Sequence, residues 1–324
     1  MTELTAYNPL HELPAELRPL VQDVEAFVAQ SLSKNTLRAY SSDWRTFSEW
    51  CGLHKQVLLP ASPAAVALYA AHLVRLGRKA ATIDRHMSSI KHFHRWMKFS
   101  ESPTDTVEVE TVLKGIRRAI GTDQQGKAPT TTPMLRKLVE ACPSTLIGFR
   151  DRALLLVGFA GAFRRSPLVA LNVEDIEFRH EGLVVLIRKD KTDQEKQGRE
   201  IGIPYGSNPT TCPVRALRTW LDSAEIKEGP IFLSFDKGRN LQQVRVNPDD
   251  VARIIKRRCK DAGIDPAAYA GHSLRSGFVT AAAEAGVQER IIADQTGHES
   301  MRVLRKYIRK GSLFRENAAA KVGL

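Results

Sequence analysis

Residues 182–205 read GLVVLIRKDKTDQEKQGREIGIPY. Val184 and Leu186 in the first run, and Ile201 and Ile203 in the second, recur at the two-residue step of a strand. A charged stretch between them supplies the turn, so the segment predicts a β-hairpin. It is the one credible strand region in the chain. On either side the apolar residues return at three- and four-residue steps, the period of helices. After it, helices are predicted at 213–224, 248–262, 273–285, 288–295 and 300–309, and before it at about 132–142 and 148–162.

Further toward the front the pattern is helical throughout. Ser33 and Thr36 open a segment in which Leu37, Tyr40, Trp44, Phe47 and Trp50 share a face. Ser62 and Pro63 start a second helix, closed by Gly77. A third runs from about Ala81 to Lys98 with Ile83, Met87, Ile90, Phe93 and Met97 aligned, and a fourth from Val107 to Ile120. Residues 1–20 are punctuated by proline and read as a loose arm, and GTDQQGKAPTTTP (121–133) reads as a linker. The expected fold class is mainly α: an all-α domain over 21–120, then an α-rich domain over 134–324 carrying a small antiparallel sheet.

The 324 residues are 43% hydrophobic, enough for ordinary cores, and the length favours two domains. Lys and Arg number 48 against 36 Asp and Glu, a formal charge of +12. Such an excess favours a polyanionic partner, nucleic acid first. Residues 1–126 hold 15 basic and 13 acidic side chains and the remainder 33 and 23, so the excess sits mostly in the second domain. The composition excludes a disordered tail, a collagen-like chain and a disulfide scaffold. Cys51, Cys142, Cys212 and Cys259 are far apart in sequence and form no C-x-x-C pair, which predicts reduced thiols and neither metal nor cofactor. The first twenty residues lack the pattern of a signal peptide, and the apolar run at 153–163 is too short to span a bilayer. A cytoplasmic protein is expected, with no membrane partner.

In the first domain the basic charge is concentrated. Arg75, Arg78, Lys79, Arg85, Lys91, Arg95 and Lys98 are opposed only by Asp84, and His86, His92 and His94 join them. Two readings stand: a solvated helix face, or a helix against DNA. In the second, Arg78, Lys79, Arg85, His86, Lys91, His92, Arg95 and Lys98 touch the duplex.

The pattern His-x-x-Arg places both side chains on one helix face. It occurs at His72/Arg75, His92/Arg95 and His272/Arg275, so by itself it selects nothing. The third lies in GHSLRSG (271–277), a helix start, where the N-terminal end of the dipole favours an anion. The other Gly-His pair is Gly297-His298, read here as opening a further helix, and Tyr307 follows nine residues after His298.

These blocks, with GAFRRSPLVALNVEDI (161–176), RKDKTD (188–193), QTGHES (295–300) and LRKYIR (304–309), resemble in order and spacing those of the tyrosine site-specific recombinases, the phage integrase family. The resemblance covers essentially the whole chain and is to a simple two-domain, Cre-like member. It implies that Tyr307 attacks the scissile phosphate to give a 3′-phosphotyrosine, that Arg164 and Arg275 hold the nonbridging oxygens, and that Lys191 protonates the leaving 5′-oxygen. It also implies that His272 is the acid/base partner of Tyr307 and that His298 donates a hydrogen bond to the phosphate. Two protomers would clamp each inverted-repeat DNA site, and four would form the synapse that passes through a Holliday junction. Residues 312–324 would dock on a neighbouring protomer, and the protein would work at the nucleoid. Type IB topoisomerases and telomere resolvases share the chemistry, and a binding-only relative keeps the basic faces without it.

Alternatives stay open at four positions. Arg165 neighbours Arg164, Lys189 and Lys196 flank Lys191, Tyr307 in isolation reads as a half-buried helix tyrosine, and His298 also reads as a helix cap. Tyr269 reads as packing. One position departs from the family: Pro167 stands where an acidic residue is usual, three after the first arginine. Proline accepts no hydrogen bond there, which implies a working but less well-ordered pocket.

Overall fold

The computed structural model describes residues 32–97, 99, 101–123, 126–188, 198–298, 300, 301, 304, 305, 307 and 308. The arm over 1–20, Lys98, Lys189, Lys191, Lys196 and the segment 312–324 lie outside the described residues. Two compact units divide the chain between residues 125 and 126.

The first unit is helical: α1 (Lys34–Leu53), α2 (Pro63–Arg75), α3 (Ala80–Trp96) and α4 (Val107–Ile120). Ser33 and Ser62 cap the first two, each hydroxyl accepting an amide of the first turn at 3.1 Å. Phe47, Trp50, Val66, Tyr69, Leu73, Ile83, Met87, Ile90 and Val109 form the core. Met97, expected on the buried face, is 44% exposed because α3 ends at Trp96.

Burial revises part of the basic face of α3. His86 is 6% exposed, its Nδ1 lies 3.0 Å from the Tyr69 hydroxyl and its Nε2 3.3 Å from buried Asp43. It faces the core and offers nothing to DNA. Helical periodicity carries it one position past the exposed Arg85, onto the inner side. Arg85 remains outside but is bound bidentately to Asp43 at 2.8 and 2.9 Å. His94 is fully buried: its Nε2 accepts the Ala61 amide, so Nδ1 carries the proton that goes to the Ile90 carbonyl. His92 is half-buried beside Tyr40 and Trp96. Arg78, Lys79 and Arg95 are exposed, and Lys91 is half-buried and paired with Asp105 at 2.7 Å.

The second unit runs α5 (Thr132–Glu140), α6 (Leu146–Ala160), α7 (Arg165–Ala170), β1 (Ile176–Phe178), β2 (Gly182–Ile187), β3 (Arg199–Pro204), α8 (Pro213–Ser223), β4 (Leu233–Phe235), β5 (Leu241–Arg245), α9 (Pro248–Asp261), α10 (Ser273–Glu284) and α11 (Glu289–Thr296). The three-stranded antiparallel sheet has the order β1-β2-β3. Val185 faces Ile201 and Leu183 faces Ile203. These residues, with Ile187, are the buried set of the hairpin, whereas Leu186 is 38% exposed. Five consecutive apolar residues, Leu183 to Ile187, make both faces of β2 look alike, and pairing with β3 decides which turns inward. The hairpin β4–β5 is not signalled by the sequence; its strands are short, and LSFDKGRNLQQVR shows little alternation.

One apolar cluster joins α5, α6, the sheet, α8 and α9, and within it the fully buried Trp220 donates to the Ile231 carbonyl at 2.8 Å. Asp151, with no exposure, lies between the guanidinium groups of Arg150 at 2.6 Å and Arg258 at 2.9 Å. Paired in this way, the buried charge is satisfied, and removing one partner leaves the other uncompensated. Residues 128–130 are strapped to this unit: the Ala128 and Thr130 amides donate to the carbonyls of Ala268 and Ser273. A Cβ on Gly277 would lie 2.0 Å from the Thr130 carbonyl oxygen, so this close passage needs glycine.

Candidate active site

The turn from α6 to α7 holds the first arginine. Gly161 ends α6, Ala162 takes a left-handed φ of 49°, and Arg164 stands at the N-cap of α7. An alanine in that region costs on the order of 1 kcal/mol. The strained turn presents the Ala162 carbonyl to Arg275, whose Nη1 donates to it at 2.8 Å. The same Nη1 donates to the Thr296 carbonyl at 2.6 Å. Arg275, on the first turn of α10, is only 1% exposed.

His272 is the N-cap residue of α10. Its Nε2 lies 3.0 Å from the hydroxyl of Tyr307. Tyr307 lies in a helical stretch with Met301, Leu304 and Ile308, packed on Val279, Ala283 and Ile292 of α10 and α11. At the other edge, α11 stops at Gly297, whose left-handed φ of 64° reverses the chain and delivers His298. The second Gly-His pair thus closes one helix, its glycine serving as the C-terminal cap, just ahead of the next, which is helical at Met301. Arg275 Nη2 lies 3.3 Å from both ring nitrogens of His298. The His298 Nδ1 is 2.6 Å from the Thr296 hydroxyl.

The electrostatics are one-sided. Burial pushes His272 below the ordinary imidazole value, and Arg275 and Arg164 push it further. Burial lowers His298 to about 4, helped by Arg275, Arg164, His272 and Arg199. Both shifts favour the neutral ring, and a neutral His272 can take a proton from the tyrosine. Arg164 acts on both histidines, whereas Arg165 is exposed and paired with Asp249 at 2.7 Å. That places Arg164 at the site and Arg165 outside it. Pro167 is buried in the first turn of α7, where its missing N–H needs no partner.

Arg199 and Thr296 carry no signal in the sequence. Arg199, which pairs with Ile187 as the last rung of the hairpin, donates to the carbonyls of Asp294, Gln295 and Thr296 at 3.1–3.3 Å. On the other strand Arg188 pairs with buried Asp175. Arg188 and Arg199 are therefore each tied down, and Arg199 reaches the carbonyl that also holds Arg275. Among the described residues no group of three or more His, Cys, Asp or Glu could hold a metal ion, and no helix is long and apolar enough to cross a membrane.

A tyrosine against a histidine whose neutral form is favoured, beside the buried guanidinium of Arg275 and the half-buried Arg164, defines a site for nucleophilic transfer at an anionic, phosphate-like centre. The phage integrase family model matches residues 128–312, and the model of the phage integrase N-terminal SAM-like domain matches residues 25–99. An integrase/recombinase xerD homolog of Selenomonas ruminantium is 39% identical over 292 residues, covering 89% of this chain and 85% of that protein. The tyrosine recombinase XerD of Listeria monocytogenes serotype 4b is 25% identical over 302 residues, covering 90% and 94%. In fold, the chain is similar to the XerH site-specific recombinase bound to palindromic difH substrate, with a TM-score of 0.64 at 18% identity, over 87% of this chain and 78% of that one. The chain belongs to the phage integrase family of tyrosine recombinases.

Proposed function

We propose that this chain is a site-specific DNA recombinase that cuts and rejoins duplex DNA through a covalent phosphotyrosine. The observation that carries the reading is the 3.0 Å approach of Tyr307 Oη to His272 Nε2 within a cationic pocket. Neutral His272 takes the phenol proton as the oxygen attacks phosphorus. The bond to the 5′-oxygen breaks, and that oxygen takes a proton from Lys191 on the 189–197 segment. Arg164 and Arg275 neutralise the charge that develops on the nonbridging oxygens, and the burial of Arg275 leaves little water to weaken it. His298 is assigned to the phosphate contact through Nε2 once that atom carries a proton. The diester energy is kept in the phosphotyrosine, so a free 5′-hydroxyl reverses the step without ATP, and the charges assigned to stabilising it are those of side chains.

The relatives whose names describe recombinases, and the neighbour described with its DNA substrate, support double-stranded DNA as the partner. We assign the first domain to DNA binding through Arg78, Lys79, Arg85, Lys91 and Arg95, with His92 at the margin and Lys98 included from sequence. Two protomers per inverted-repeat site and a tetrameric synapse complete the reading, acting on the nucleoid in the cytoplasm.

The test is incubation with a DNA library in EDTA, followed by isolation of covalent protein–DNA adducts. Adduct from wild type and none from Tyr307→Phe supports the reading. Tight binding with no adduct assigns the chain to the binding-only class, and relaxation without strand exchange assigns it to the topoisomerases.

A further inference from the structure

Thr296 has no solvent exposure, yet its hydroxyl has three polar neighbours. Its Oγ1 is 2.6 Å from the Ile292 carbonyl oxygen, 3.3 Å from that of Ala293 and 2.6 Å from Nδ1 of His298. A hydroxyl has one proton, and a carbonyl oxygen can only accept. Two oxygens at 2.6 Å with no proton between them repel, so the Thr296 proton belongs to Ile292. The short approach to His298 then needs a proton from the other side, and Nδ1 must donate it.

The other neighbours of the ring agree. Arg275 Nη2, equidistant at 3.3 Å from Nδ1 and Nε2, lies over the ring rather than in line with either lone pair. A cation so placed favours the neutral ring and leaves the in-plane positions alone. The Thr296 carbonyl meanwhile accepts from Arg275 and Arg199. A Cβ on Gly297 would meet the Arg199 guanidinium carbon at 2.7 Å, so the chain between Thr296 and His298 is tightly confined.

We propose that Thr296 is a positioning residue: its hydroxyl, committed to Ile292, holds His298 in the Nδ1–H tautomer and leaves Nε2 as the ring's basic atom. This rests on the recombinase reading for its consequence. Neutral His298 has no proton at Nε2 to give to a phosphodiester oxygen, which itself only accepts. It donates there only after Nε2 gains a proton, forming an imidazolium whose Nδ1–H stays on Thr296. A fixed neutral donor, the role implied by the family resemblance, is the opposite tautomer.

The experiment is long-range nitrogen–proton NMR of the histidine side chains in the full chain, with His298→Asn to assign the signals, run beside single-turnover cleavage of a suicide DNA substrate. Wild type should show a pyrrole-like Nδ1 and a pyridine-like Nε2 for His298. Thr296→Val should move the ring toward the Nε2–H form and slow cleavage by about 10–100-fold, the range seen when an outer partner of a functional histidine is removed. Thr296→Ser, which keeps the hydroxyl, should restore both. An Nε2–H ring in wild type overturns the proposal, and that reading needs no variant to fold. Folded Thr296→Val cleaving like wild type overturns it equally. Absence of any adduct from wild type, with the tautomer as expected, would instead sink the recombinase reading and leave the ring assignment standing.

Discussion

The hydroxyl of Tyr307 and Nε2 of His272 come within 3.0 Å of each other across 35 residues of the same chain. The nucleophile and its acceptor are thus assembled within one protomer. His272→Ala should lower single-turnover cleavage by about 10²–10⁴-fold, the usual contribution of a general base, and leave DNA affinity intact. Because burial and two arginines lower its pKa, the acid limb of the wild-type rate should fall below the ordinary imidazole value of 6.5. Single-turnover rates against pH check this, and a limb above that value would remove His272 from the role.

Stability should respond to pH through several histidines. His298, His272, His86, His92 and His94 all have lowered values in the folded state, burial being the first cause for each. The unfolded chain then binds more protons than the native one, so stability is complete above the unfolded value and is lost as pH falls. For His298 the window runs from 6.5 down to about 4. Thermal melts across it should show His298→Asn with a shallower slope, by about one proton.

Gly277→Ala places a Cβ 2.0 Å from the Thr130 carbonyl oxygen, where the obstacle is backbone. Overpacking of this kind costs about 1–3 kcal/mol, and the strap over residues 128–130 has to lift. Chemical denaturation should record the loss in the second unit. A variant as stable as wild type would show that the strap yields freely.

On α3 the expected effects divide. Arg78 and Lys79 are exposed, so changing either to Ala should lower the slope of DNA affinity against salt by about 0.9 for each phosphate no longer neutralised. Arg85→Ala also strips Asp43, 4% exposed, of its bidentate partner and should lower the stability of the first unit. Fluorescence titration across salt concentrations, beside thermal melts, separates the two effects.

Pro167→Glu tests the missing acid. A carboxylate near Arg164 should raise the pKa of His272 and His298 and change the cleavage rate. An unchanged rate would mean that the position has no part in ordering the pocket.

Most of the helical fold is legible in the sequence because amphipathic periodicity is a local property. Tyr307, Arg164, His272, Arg275 and His298 are legible because motif order is linear. The inner face of β2 is not, since VVLI is apolar on both sides and only its partner strand breaks the tie. His86 is misplaced by sequence reasoning because its charge type matches its neighbours while its phase on the helix does not. Arg199 and Thr296 escape notice for another reason: their partners are backbone carbonyls, which every residue has and no sequence motif displays.

Those carbonyls differ electrically from the acid that the family usually carries. Arg275 is steadied by the carbonyls of Ala162 and Thr296, and Arg199 by those at the end of α11, in a chain where proline occupies the usual acidic position. A carboxylate loses its charge in acid and can be drawn away by a competing cation. A peptide dipole does neither. The part of the hold on these guanidinium groups that comes from carbonyls is therefore indifferent to protonation, and among the described residues the groups here whose charge shifts with acid are His272 and His298.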